Sequence, residues 1–106
     1  MIFELRTYRI KAGCRGKWVD LMDRIIIPFQ QKMGMTILGS FTVLGDDDLY
    51  IWIRRFDSEE ERRRLYDAVY GSRIWKNEIR PEIGEMLIRK EVEIKLLQAT
   101  SSSAIQ

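Results

Sequence analysis

The hydrophobic period of this chain switches between two and about 3.6 in one fixed order, which restricts its fold more than any other feature. Residues 2–10 alternate with period two and read as a first strand. Lys11 to Gly16 is a glycine-containing turn. From Lys17 onward, Trp18, Leu21, Met22, Ile25, Ile26, Phe29 and Met33 recur at steps of three and four, one stripe of an amphipathic helix stopped by Gly34. Pro28 lies inside that stripe, where it removes a backbone donor and crowds the carbonyl of Arg24, so a kink is expected. Residues 35–44 and 49–56 read as a second and third strand, joined by a Gly-Asp-Asp-Asp hairpin turn.

Ser58, with Glu61 three residues on, opens a second helix through a capping box. Glu59, Glu60 and Glu61 lie at the positive end of its dipole, Leu65, Ala68 and Val69 form its buried stripe, and Gly71 ends it. Within residues 72–84 a short helix is expected, with Trp75 and Ile79 on one side, closed before Pro81. Trp75 is read as a satellite core residue under that segment. Residues 85–97 alternate as a long fourth strand.

The order is βαββαβ, an α+β ferredoxin-like arrangement: a four-stranded antiparallel sheet in spatial order 4-1-3-2, with two helices on one face. At 106 residues this is one domain, covering 1–97, with a polar tail at 98–106 expected to be disordered. No stretch is apolar enough to span a bilayer, and no secretory leader is recognisable, so a cytoplasmic location is expected. A net charge of +2 is too small to argue for nucleic acid.

Two helices cover only one sheet face, yet both faces of the strands carry apolar residues. Phe3, Leu5, Leu49, Ile51 and Ile53 suit the helix side, with Met86, Ile88, Val92 and Ile94 on the fourth strand. That leaves Ile2, Glu4, Arg6, Tyr8, Ile10, Tyr50, Trp52 and Arg54 on the open face. An exposed patch of this kind calls for a partner, and the simplest is a second copy: a homodimer whose sheets close into a barrel. Glu4, Arg6 and Arg54 are then expected between the sheets of the dimer, paired to offset desolvation.

The chain has no histidine, which excludes Ser-His-Asp and Cys-His catalysis, histidine-ligated zinc and proximal-histidine haem. Neither a cofactor nor a metal site is expected. The single cysteine, Cys14, lies among Lys11, Arg15 and Lys17, but reads most simply as a turn residue with no task. The candidate site is the open-face set. Glu4 is a base if desolvation raises its pKa, Arg6 and Arg54 hold an anion or enolate, and Tyr8, Tyr50, Trp52 and Arg54 line a pocket. The plainer alternative is that these charges pair and only fill the interior.

Residues 4–13 (ELRTYRIKAG), Gly34 and Gly39 at the second strand, residues 56–62 (FDSEEER) and residues 79–84 (IRPEIG) together resemble the NIPSNAP family. The resemblance implies the dimeric α+β barrel fold, supports the homodimer and adds little chemistry, since small microbial members mostly lack an assigned reaction. Barrel relatives include cofactor-independent monooxygenases, which makes that the reaction class to expect if the chain is an enzyme. One departure is Trp52 to Asp57, where many members carry a histidine-led strand motif, so a role resting on that histidine does not transfer. Two other function classes remain: a non-catalytic interaction or adaptor module, and an RNA-binding module stacking bases on Tyr8, Tyr50 and Trp52. The second lacks the glycine-aromatic signature and the basic footprint of such modules.

Overall fold

The computed structural model describes all 106 residues. The chain forms β1 (Ile2–Arg9), α1 (Arg15–Leu21), α2 (Ile27–Lys32), β2 (Thr36–Val43), β3 (Asp46–Phe56), α3 (Glu59–Tyr70), α4 (Arg80–Met86) and β4 (Glu93–Leu97). The sheet runs β2-β3-β1-β4, every pair antiparallel, which is the ferredoxin-like order that the periodicity predicts.

Both prolines are absorbed without ending a helix. One π turn, Met22–Ile26, joins α1 to α2 and ends two residues before Pro28, and a second, Trp75–Ile79, leads into α4 and ends two residues before Pro81. The Ile27 N–H reaches back to Met22 O and the Arg80 N–H to Trp75 O, five residues in each case. The wider turn relieves the crowding that a proline ring inflicts on a regular helix. The helix expected to close before Pro81 therefore continues to Met86, and the long strand expected at 85–97 shrinks to Glu93–Leu97. The hairpin turn also moves: Leu44 and Gly45 (φ 86°) form the tip, and all three aspartates belong to β3.

Ser58 caps α3 as its sequence implies, its Oγ accepting from the Glu61 N–H at 3.1 Å. Ser58→Ala is expected to cost about 1 kcal/mol in urea unfolding. A loss below about 0.3 kcal/mol would mean that water replaces the cap fully.

The helices cover the opposite sheet face from the one expected. Glu4, Tyr8, Ile10, Tyr50, Trp52, Arg54 and Phe56 are buried, and they pack under the helices with Trp18, Met22, Ile26, Leu65, Val69 and Ile79. The face is interior to one chain. Leu5, Leu49, Ile51 and Ile53 point the other way and stay only half-buried. The physical reason lies in α2 and α3: Gln30, Arg62, Tyr66 and Tyr70 supply the partners that make a polar sheet row buriable. On the outer face the Phe41 ring lies against Gly39, where a Cβ would meet its Cε2 at 2.5 Å. Residues 98–106 hold no helix or strand and fold back over one end of this face. Arg55 Nη1 donates to Gln106 O at 2.9 Å there, and Phe3, Ile53, Leu97, Ser103 and Ile105 enclose a shallow groove.

Candidate functional site

Alternation along β1 places Glu4, Arg6 and Tyr8 on the covered face, and the β1–β3 register sets them beside Arg54, Trp52 and Tyr50. The six candidate residues thus come together as a set, though inside the monomer. Glu4 is fully buried at the centre. Its Oε1 accepts from Arg54 Nε at 3.1 Å, from Arg54 Nη2 and from Arg6 Nη1 at 3.1 Å; its Oε2 accepts from Arg62 Nε at 2.9 Å and from the Tyr66 hydroxyl. Arg54, equally buried, completes its donors on Gln30 Oε1 and the Tyr70 hydroxyl, both at 2.8 Å. Arg6 Nε donates to the Tyr8 hydroxyl at 2.7 Å.

Five donated hydrogen bonds occupy the two oxygens of the Glu4 carboxylate. Desolvation pushes its pKa upward and is the largest single influence. The Arg54 charge, the hydrogen bonds from Tyr66 and Arg54, and the Arg6 charge together outweigh it and bring the pKa from 4.5 down to about 2. Burial works on Tyr66 and Tyr50 too, raising each hydroxyl to about 12, so both stay protonated and neutral at physiological pH. Glu4 is the anionic hub of a cationic cluster, three arginines around one carboxylate.

Beside this cluster lies a chamber of 420 Å³ between the sheet and the helices. Arg6, Tyr8 and Trp52 from the sheet form its floor, and Tyr70 and Trp75, edge to face at 4.8 Å, form one wall. Met22 and Ile26 from the first π turn and Ile83 from α4 add apolar surface, and the exposed Arg80 and Arg89 stand at the rim. Both π turns therefore border the chamber, consistent with the tendency of such turns to occur at functional sites. Of the sequence candidates, Arg6, Tyr8 and Trp52 line it; Glu4, Tyr50 and Arg54 do not. Trp75, expected as filler, is half-buried in its wall.

Sequence reasoning missed Arg62, Tyr66, Tyr70, Arg80 and Arg89. Arg62, Tyr66 and Tyr70 recur every four residues on α3, which is the signal that could have aimed them at a polar sheet row. Their neighbours Arg63 and Arg64 are exposed. The RNA reading loses its platform, since Tyr8, Tyr50 and Trp52 are 6%, 1% and 2% exposed. No helix is long and apolar enough to cross a membrane, and no cluster of acidic or cysteine side chains is placed to hold a metal ion.

The family model described as NIPSNAP matches residues 3–104. Among solved structures the chain is similar to a NIPSNAP family protein from Agrobacterium tumefaciens, at 20% identity over 99% of this chain and 98% of that one, with a TM-score of 0.88. It is similar also to an uncharacterized NIPSNAP domain protein from Burkholderia xenovorans, at 18% identity over 97% and 98%, TM-score 0.84. A more distant likeness is to an antibiotic biosynthesis monooxygenase, at 15% identity over 94% and 99%, TM-score 0.68. At these identities the likeness is one of fold. No curated protein matches the sequence.

Proposed function

The chain belongs to the NIPSNAP family, and from the chamber inside its fold we propose that it is a homodimer that binds a small organic molecule between its sheet and its helices. The chamber carries this reading: 420 Å³ of space with aromatic walls persists beside a tightly hydrogen-bonded cluster, within the size range of small-molecule sites. Binding is preferred to acid–base catalysis. The chamber walls offer no carboxylate, imidazole or thiol to accept a proton, and Glu4 is held ionised by its arginines. A cofactor-independent oxidation in this chamber would have to draw on acidity of the ligand itself.

The homodimer forms through the outer sheet face, opposite to the face expected from the sequence. Leu5, Leu49 and Ile51 are half-buried there, and Phe41 is 51% exposed. An apolar sheet surface of this kind is what a two-fold partner covers.

Two of the three tryptophans, Trp52 and Trp75, line the chamber, so its occupation reads out directly in emission. Titration with a panel of neutral and anionic planar aromatics is expected to give saturable quenching for at least one member. Val92→Phe, which narrows the chamber from its rim, should abolish it. Unchanged emission and unchanged Tm across the panel would refute the binding reading.

A further inference from the structure

The chamber wall has a charge composition unlike the rest of the chain. Lysine plus arginine and aspartate plus glutamate are nearly balanced overall, 18 against 16, yet the lining side chains include Arg6, Arg80 and Arg89 and not one carboxylate. Arg6 is committed to Glu4, Tyr8 and Tyr66. Arg80 and Arg89 take part in no ion pair, and both are exposed, so they mark the solvent end.

The buried end shows a different vacancy of partners. Trp52 is 2% exposed and lines the chamber, and its Nε1 donor has no acceptor. A buried, unpaired donor carries a penalty that a ligand oxygen would remove. Trp18 Nε1 is also unpaired, but Trp18 lines no part of the chamber and so bears on no ligand there.

We propose that the chamber takes a planar aromatic carboxylic acid with an oxygen at the end remote from its carboxylate: the carboxylate sits at the rim between Arg80 and Arg89, and the remote oxygen accepts from Trp52 Nε1. The inference rests on the chamber being the binding site and adds the polarity and orientation of what fills it. Arginine forks suit a carboxylate at a partly solvated rim, and Trp75 and Tyr70 offer ring faces and edges to a flat body.

The test uses three compounds on the full chain by isothermal titration: para-hydroxycinnamate, its methyl ester, and cinnamate. The hydroxy acid is expected to bind about tenfold more tightly than its ester and about fivefold more tightly than cinnamate. The double variant Arg80→Gln, Arg89→Gln, which alters only exposed side chains, should erase the advantage over the ester. Trp52→Phe should erase the advantage over cinnamate and leave the ester preference in place. If Trp52→Phe does not fold, the rim variant and the three-compound comparison decide alone. Equal binding of acid and ester, or an acid preference that survives the rim variant, overturns the proposal while leaving the chamber as a binding site. Failure of all three compounds overturns the proposal, whereas the binding reading falls only if the wider panel also fails.

Discussion

Replacing Glu4 with glutamine is expected to lower the unfolding free energy by about 3–5 kcal/mol, with a fall in Tm of at least about 12 °C. The substitution keeps shape and removes one negative charge from the middle of three guanidinium groups. Arg54, with a side chain fully buried, then has no counterion, and Arg6 and Arg62 are only 14% and 18% exposed. Removing one partner of a buried ion pair is costly because the other charge remains desolvated. Pairing Glu4→Gln with Arg54→Met should recover part of the loss, because the stranded charge goes with it. Urea unfolding measures both. A loss below about 1 kcal/mol for Glu4→Gln would mean that water reaches the cluster.

The same cluster makes an acid-dependence prediction. The folded pKa of Glu4, about 2, lies below the ordinary 4.5, so the ionised carboxylate is favoured by folding. Its contribution is fully present above pH 4.5 and disappears as pH falls through about 2. The size is at most about 3 kcal/mol. Other carboxylates titrate in the same window, so the decisive quantity is a difference: the stability gap between the native sequence and Glu4→Gln should narrow steadily from pH 4.5 to pH 2. A gap independent of pH would show that Glu4 is not specially stabilised as an anion.

Local signals in the sequence proved reliable because local chemistry sets them. Ser58 caps because its hydroxyl reaches a bare N–H three residues on, and Gly34 ends its helix with a φ of 109° that a side chain would resist. The strand order followed from the alternation of periods and the handedness of crossovers. The choice of sheet face did not, because parity along β1 and β3 sorts residues into two groups without saying which group meets the helices. Hydrophobicity alone favours burying Leu5, Ile51 and Ile53. The deciding factor is hydrogen-bond supply: Tyr66, Tyr70, Gln30 and Arg62 can satisfy Glu4 and Arg54, whereas a bare sheet partner offers nothing of that kind. The π turns were hidden for a related reason. A proline inside an amphipathic stripe implies disruption, and only the three-dimensional packing shows that one wider turn is enough. Of the chamber residues on α4 and after it, Ile83 was unreadable once the helix was expected to close before Pro81, and Leu87 and Arg89 once residues 85–97 had been taken for a strand.

Ile51→Glu is expected to convert the proposed dimer into a folded monomer. Ile51 lies centrally on the outer face, paired with Thr7 across β1 and with Phe41 across β2, and away from the end over which residues 98–106 fold. A two-fold interface presents each substitution twice, so two carboxylates would be desolvated together and near their own kind. A cost of about 4 kcal/mol, or about a thousandfold in Kd, follows for that juxtaposition. Within the monomer the same side chain faces water, so far-ultraviolet circular dichroism and the Trp52 and Trp75 emission should stay as they are. Ile51→Thr, polar and still β-branched, should weaken association by much less. Sedimentation equilibrium distinguishes the outcomes. A native chain that sediments at its single-chain mass of 12.6 kDa at micromolar concentration would leave this face as a solvated sheet surface and remove the dimer from the proposal. The ligand chamber would survive that result, because every residue lining it belongs to one chain.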